Sequence, residues 1–260
     1  SNGVIVSHDG SITLINCVFR NCEFAVEVRE GGHATMVHCT IENSFVGVKV
    51  VEKAKGLSMR NCTVSSCELY GILLDWAGEV SISGCKVENC ICYGIEASNR
   101  NRRTMPIKIN NCHISKCEYG INFEIGGYMA TITNTTVKNN DKVGIIVLPS
   151  VIGSIAVTQC QVTENGQNDM INLSQVRCVV TVDGVTLKSI TSDYEPPKQL
   201  FIRRCCQRAG IWDILCENCG KKEGPGEKYK KCGQCQNVCY CSKDCQKAHW
   251  KEHKKECNPD

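Results

Sequence analysis

The sequence predicts an all-β parallel solenoid over about its first 190 residues and a small cysteine-rich α+β module at its end. Three observations carry this. A repeat of about two dozen residues runs through the chain, apolar residues alternate with period two inside each repeat, and closely paired cysteines follow residue 215.

The repeat aligns on Cys17, Cys39, Cys62, Cys85, Cys112, Thr135, Cys160 and Val185, with steps of 22, 23, 23, 27, 23, 25 and 25 residues. Two residues after each anchor stands an apolar side chain: Phe19, Ile41, Val64, Val87, Ile114, Val137, Val162 and Leu187. A small or polar column follows at Cys22, Ser44, Cys67, Cys90, Cys117, Asn140 and Asn165. Then comes an aromatic–Gly–aliphatic signature, clearest at Tyr70-Gly71-Ile72, Tyr93-Gly94-Ile95 and Tyr119-Gly120-Ile121.

Pairs such as Val48/Val50, Ile121/Phe123, Leu57/Met59 and Ile107/Ile109 alternate with polar neighbours, which is the mark of strands. Several short strands per repeat fit one coil of a parallel β-helix whose coils stack about 4.8 Å apart. Stacking also accounts for the coil cysteines as small fillers of a narrow interior. Asn16, Asn61, Asn111 and Asn134 are expected at turns, where Asn tolerates left-handed backbone geometry. This pattern resembles the right-handed parallel β-helix repeats of pectate-lyase-like and carbohydrate-binding proteins, and the β-helices of eukaryotic F-box substrate receptors.

Three segments are expected. Residues 1–193 form the β-helix, 194–214 a linker and C-terminal cap, and 215–260 the terminal module. Gly3-Val4-Ile5-Val6 matches the second half of a repeat, so the first coil is incomplete and the chain is expected to be a piece of a longer protein. Asn99-Arg100-Asn101-Arg102-Arg103 reads as a solvated insertion. Phe201, Ile202, Ile211, Trp212 and Ile214 suit the cap, and Cys205 and Cys206 read as ordinary thiols.

Composition narrows the setting. The chain has 22 Cys against 5 Phe and 3 Trp. Nothing at its start reads as a signal peptide, and no apolar run is long enough to span a bilayer. Core thiols and metal ligands therefore fit better than disulfides, and a reducing compartment, cytosol or nucleus, is expected. The net charge of +3 lies wholly in residues 205–260. Seven thiolates and two divalent ions would cancel it there, which argues against a nucleic-acid binder.

The terminal module pairs Cys216 with Cys219, Cys232 with Cys235, Cys241 with Cys245 and His253 with Cys257. Eight donors are what two tetrahedral zinc sites need, and pairs two or three residues apart let a turn present both to one ion. With protein donors in all positions, such sites are structural. Zinc is expected to supply the stability that so small a core lacks. A helix is predicted over 243–256, with Gln246 and Trp250 on one face.

The order and spacing, with Tyr240, Gln246 and Trp250, resemble the MYND-type zinc fingers. That resemblance implies interleaved ligands: Cys216, Cys219, Cys241 and Cys245 on one ion, Cys232, Cys235, His253 and Cys257 on the other. Cys239 and His249 fall outside the pattern. It also implies binding of short proline-rich segments by Gln246 and Trp250, although the family's frequent Ser in the second pair is Gly233 here.

On this reading the chain is an adaptor or scaffold without catalysis of its own, its β-helix offering a second surface for a protein partner. The alternative is a carbohydrate-binding or polysaccharide-cleaving β-helix, for which carboxylates on one face are required. Asp75, Glu96 and Glu124, with Glu27, Arg29 and Lys49, fall on the outward side of the strands, where they read as a solvated charged face. Leu73, Ile146, Val51 and Leu148 share that side, and a loop or partner is expected to cover them.

Overall fold

The computed structural model describes residues 2–51, 53–75, 77–99, 104–174, 178–187, 216, 218–219, 221, 224, 227–234, 238–254 and 257. The chain divides into two compact units, Ser1–Ser192 and Asp193–Asp260. The expected cap at 194–214, Arg100–Arg103, Cys205, Cys206 and Cys235 lie outside the described residues.

The first unit is a β-solenoid of about seven turns. A representative coil runs through strands His33–Val37, Thr40–Glu42 and Val46–Val50, and the next through Ala54–Arg60, Thr63–Ser65 and Tyr70–Asp75. Equivalent strands pair in parallel from coil to coil, which places equivalent side chains in columns. One interior column reads Ile12, Ala34, Leu57, Val80, Ile107, Ala130, Ile155, Val180. Another reads Val26, Val48, Ile72, Ile95, Ile121, Ile145, Met170. A third, on the short strands, reads Phe19, Ile41, Val64, Val87, Ile114, Val137, Val162. Together they form one core, as the alternation predicts.

Two left-handed corners flank each short strand. Asn16, Asn61, Asn111 and Asn134 occupy the first, with φ between 48° and 54°. His38 and Gly84 stand there in other coils. The second corner, which the sequence reading missed, holds Asn21, Asn43, Ser66, Asn89, Lys116 and Asn139. The corner N–H groups do the bridging: Asn16 donates to the Val37 carbonyl and Asn61 to that of Ser83, each one coil on.

The residue after each corner explains the cysteine column. Its N–H points at the side chain of the next coil. Cys39 donates to Cys62 Sγ and Cys62 to Cys85 Sγ, both at 3.4 Å. Where the column changes, the acceptor persists: Cys112 donates to Thr135 Oγ1 at 3.3 Å, and Cys117 to Asn140 Oδ1 at 3.1 Å. The position thus demands a small side chain that also accepts a hydrogen bond, because a buried N–H left alone is costly. All described cysteines are free thiols.

The glycine of the Tyr-Gly-Ile signature marks a close approach. A Cβ on Gly94 would stand 2.7 Å from the Gly120 carbonyl oxygen and 2.8 Å from Ile114 Cγ2. Beside it the tyrosines stack, Tyr70 on Tyr93 at 5.6 Å and Tyr93 on Tyr119 at 5.1 Å between ring centroids.

The outward row of these strands corrects the expectation of a solvated charged face. Glu27, Lys49, Leu73, Glu96, Asn122 and Ile146 stand in register, and all six are buried. Alternation tells which side a residue faces, not whether that side is covered, and Leu73 and Ile146 fit a covered layer. The charges adapt in two ways. Glu27 bonds Lys49 at 2.9 Å and Arg29 at 2.7 Å. Burial pushes its carboxyl up, but the two cations outweigh burial and hold it below its ordinary range. Glu96 has no such cation among the described residues. Burial, then repulsion from Glu124, push its carboxyl well above the ordinary range, against the hydrogen bond that Asn122 Nδ2 donates at 2.7 Å.

Candidate metal centres and the adjoining groove

Local structure in the second unit brings the paired donors together. Lys230–Lys231 and Cys239–Tyr240 form a two-stranded antiparallel ribbon, and the Cys232 N–H closes its turn on the Val238 carbonyl. Ser242 follows, and its Oγ accepts from the Cys245 N–H at 3.1 Å, an N-cap that starts the helix Lys243–His253. Cys241 and Cys245 are thus held on either side of the cap. Cys245, His249 and His253 recur at helical spacing on one side of the helix, while Lys243, Gln246, Lys247 and Trp250 recur on another. Among the described residues the helix ends at His253, earlier than the predicted 256. Lys254 is already in a turn, and Cys257 Sγ lies 3.8 Å from Cys232 Sγ.

Two donor groups result: Cys216, Cys219, Cys241 and Cys245, and Cys232, His253 and Cys257. Within each, the donor atoms lie within 4.8 Å of one another. A tetrahedral zinc with bonds of about 2.3 Å to sulfur sets its ligands about 3.8 Å apart. The Cys219–Cys241, Cys241–Cys245 and Cys232–Cys257 separations are 3.7, 3.5 and 3.8 Å, and His253 Nε2 lies 3.3 Å from Cys232 Sγ. The chemistry and spacing of the donors fit zinc. Cys239 and His249 stay out of both groups; the His249 ring meets the Tyr240 hydroxyl at 3.1 Å.

The thiols are prepared unequally. Burial opposes ionisation of Cys216, yet backbone N–H groups of Cys241, Cys219 and Asn218 hold it down to about 6. Cys241, hydrogen-bonded to Cys245 and Cys216, is pushed up to about 12. Thiolates are the form in which cysteine would hold zinc, and the Cys216 site favours that form.

Beside the second group runs a groove of about 550 Å³ lined by Cys232, Gly233, Gln234, Lys243, Gln246, Lys247 and Trp250. Trp250 is 39% exposed, its ring set edge-on against His253 at 5.8 Å. It packs on the metal-binding side of the finger and still presents a ring to the groove. A Cβ on Gly233 would meet nothing within 4 Å, so the serine frequent in similar fingers would fit. The sequence reading named Gln246 and Trp250 but missed Lys243 and Lys247, which the i, i+3, i+4, i+7 spacing from Lys243 to Trp250 would have given.

Comparison with known families agrees with this architecture. A right-handed β-helix region matches residues 1–128, and a MYND finger matches residues 216–257. The protein is a β-solenoid carrying a MYND-type zinc finger, and the finger is its zinc-binding module. Two curated relatives are similar over part of the chain. The MYND-type zinc finger protein samB of Aspergillus clavatus is 33% identical over 81 residues, 30% of this chain and 14% of that protein. The samB protein of Aspergillus terreus is 29% identical over 100 residues, 37% of this chain and 17% of that protein. The matched stretches thus span less than a fifth of either relative's length. Among solved structures, that of QnrB1, a plasmid-mediated fluoroquinolone resistance protein, aligns at a TM-score of 0.31 and 10% identity. It covers 69% of this chain and 90% of that one.

Proposed function

We propose that this protein is an interaction adaptor of the cytosol or nucleus whose finger binds short proline-rich segments of partner proteins. A MYND finger suggests protein partners. The observation that carries the finer reading is Trp250, partly exposed beside Gln246 on the wall of a groove built against a metal centre. A polyproline segment suits such a ring because it loses little entropy on docking. Zinc on Cys216, Cys219, Cys241 and Cys245, and on Cys232, Cys235, His253 and Cys257, holds the helix against the ribbon and so shapes the groove. The β-helix supplies a second rigid surface, and joining the two sites in one chain raises the effective concentration of their partners.

The glycan reading has one feature in its favour: burial, then repulsion from Glu124, raise the Glu96 carboxyl well above its ordinary range, the direction a general acid needs. Its 4% exposure weighs against it, since a saccharide must reach the carboxyl. The test is binding of the zinc-loaded chain to a proline-rich peptide array, with Trp250→Ala as control. Binding lost in the control supports the adaptor. Silence from a zinc-loaded chain, with glycan cleavage that Glu96→Gln abolishes, overturns it.

A further inference from the structure

We propose that the groove reads an acidic proline-rich segment, with a proline on Trp250 and carboxylates paired to Lys247 and Lys243. The inference rests on the groove being a peptide site and names what that site selects. Among its seven lining residues are two ammonium groups and no carboxylate. Both lysines are exposed, and among the described residues neither has an ion-pair partner.

The spacing is specific. Lys243 and Lys247 are four residues apart on the helix, an advance of about 6 Å. A polyproline strand advances about 3.1 Å per residue, so side chains two positions apart repeat at about the same distance. From Lys247 to Trp250 the advance is about 4.5 Å. A segment lying along the helix therefore sets its proline at Trp250 and acidic residues at alternate positions toward the helix N-terminus. The positive end of the helix dipole lies there too, beside Lys243, and adds to the attraction. One charge opposes it: a zinc held by three thiolates and one imidazole is net −1, and Cys232 lies in the groove wall. Two ammonium groups and the helix terminus outweigh it, and the lysines reach further into solvent than the buried sulfur.

The experiment measures fluorescence anisotropy of the zinc-loaded full chain with three labelled peptides of one proline-rich core. Its two alternate flanking positions carry Asp, Asn or Lys. Asp peptides should bind tighter than Asn, and Asn tighter than Lys, by about two- to fivefold per charge at low salt. The gap should close as salt rises towards about 0.5 M. The double variant K243E/K247E should invert the order, and K243Q/K247Q, the safer variant should the reversal lose zinc, should erase it. Equal binding of Asp and Asn peptides overturns this inference and leaves the groove reading standing. Silence of all three from a zinc-loaded chain overturns both.

Discussion

The coils and the finger use cysteine for opposite ends. In the solenoid, cysteines recur every 22 to 27 residues and land one above another, and thiols such as Cys62 and Cys85 take a hydrogen bond from the neighbouring coil. Neighbouring thiols and burial raise several of them: the Cys112 hydrogen bond and burial push Cys85 up to about 11, and Cys62, Cys90 and Cys117 go higher still, while the same Cys85 bond lowers its partner Cys112. In the finger the spacing is two or three residues, the sulfurs converge on one point, and Cys216 falls to about 6. Sequence spacing, more than residue type, decides whether a thiol is filler or ligand. Long spacing yields a column, short spacing a cage.

The sharpest way to break that contrast is to remove the metal. Structural zinc in small fingers is worth about 10–16 kcal/mol, so chelation should unfold the finger and leave the coils intact. Alkylation followed by mass spectrometry reads this directly. Cys216, Cys219, Cys232, Cys241, Cys245 and Cys257 should become labelled within minutes, while Cys62, Cys67, Cys90 and Cys117 stay protected. Labelling of both sets together would mean that the solenoid does not stand on its own columns.

Next in size is Gly94→Ala. The added methyl meets backbone on the next coil, which cannot give without disturbing the stack, and a loss of about 2–3 kcal/mol is expected. Urea unfolding followed by far-ultraviolet dichroism should show it, with zinc content of the finger unchanged.

Smaller, and more telling about the thiol column, is Cys85→Ala against Cys85→Thr. Alanine leaves the Cys62 N–H without its acceptor and should cost about 1–3 kcal/mol. Threonine restores an acceptor, as Thr135 does naturally for Cys112, and should cost no more than about 1 kcal/mol. Equal losses from both would make the column a matter of volume alone.

These effects also mark what the sequence made legible. Interior columns were readable because period two leaves no choice of face, and the two donor groups because paired donors in register rarely coincide by chance; seven of the eight expected donors lie in those groups, and Cys235 is outside the described residues. The acceptor role of the column was hidden, since sequence displays the small side chain but not the N–H that a left-handed corner turns towards it. Asn21, Asn43, Asn89 and Asn139 carried the same signal as Asn16 and Asn61, but Ser66 and Lys116 interrupt that corner and blur it. Burial of the Glu27–Ile146 row was foreshadowed only by Leu73 and Ile146. Charges on that row read as solvent-facing because pairing to Lys49, or retention of a proton, leaves no mark in one dimension.

That row provides the last and smallest test, a difference in sign between the two units. Acidification should weaken the finger, because ligand thiolates must be deprotonated to hold zinc. Glu96 pulls the solenoid the other way. Its folded carboxyl keeps a proton that the unfolded chain releases above the ordinary value of 4.5, so the unfolded state binds fewer protons. Its contribution is therefore greatest below 4.5 and declines as pH rises, until the folded group ionises as well. Glu27 runs opposite, its paired carboxylate stabilising the fold above 4.5 and ceasing to do so as pH falls. The two must be separated by mutation. Glu96→Gln keeps an oxygen for the Asn122 bond and removes the titration. Urea midpoints for this variant and the parent should agree near pH 4.5 and separate as pH rises, with the glutamine form the more stable. Parallel curves from pH 4.5 to 8 would mean that Glu96 titrates alike in the folded and unfolded chain, and burial would then not govern its carboxyl.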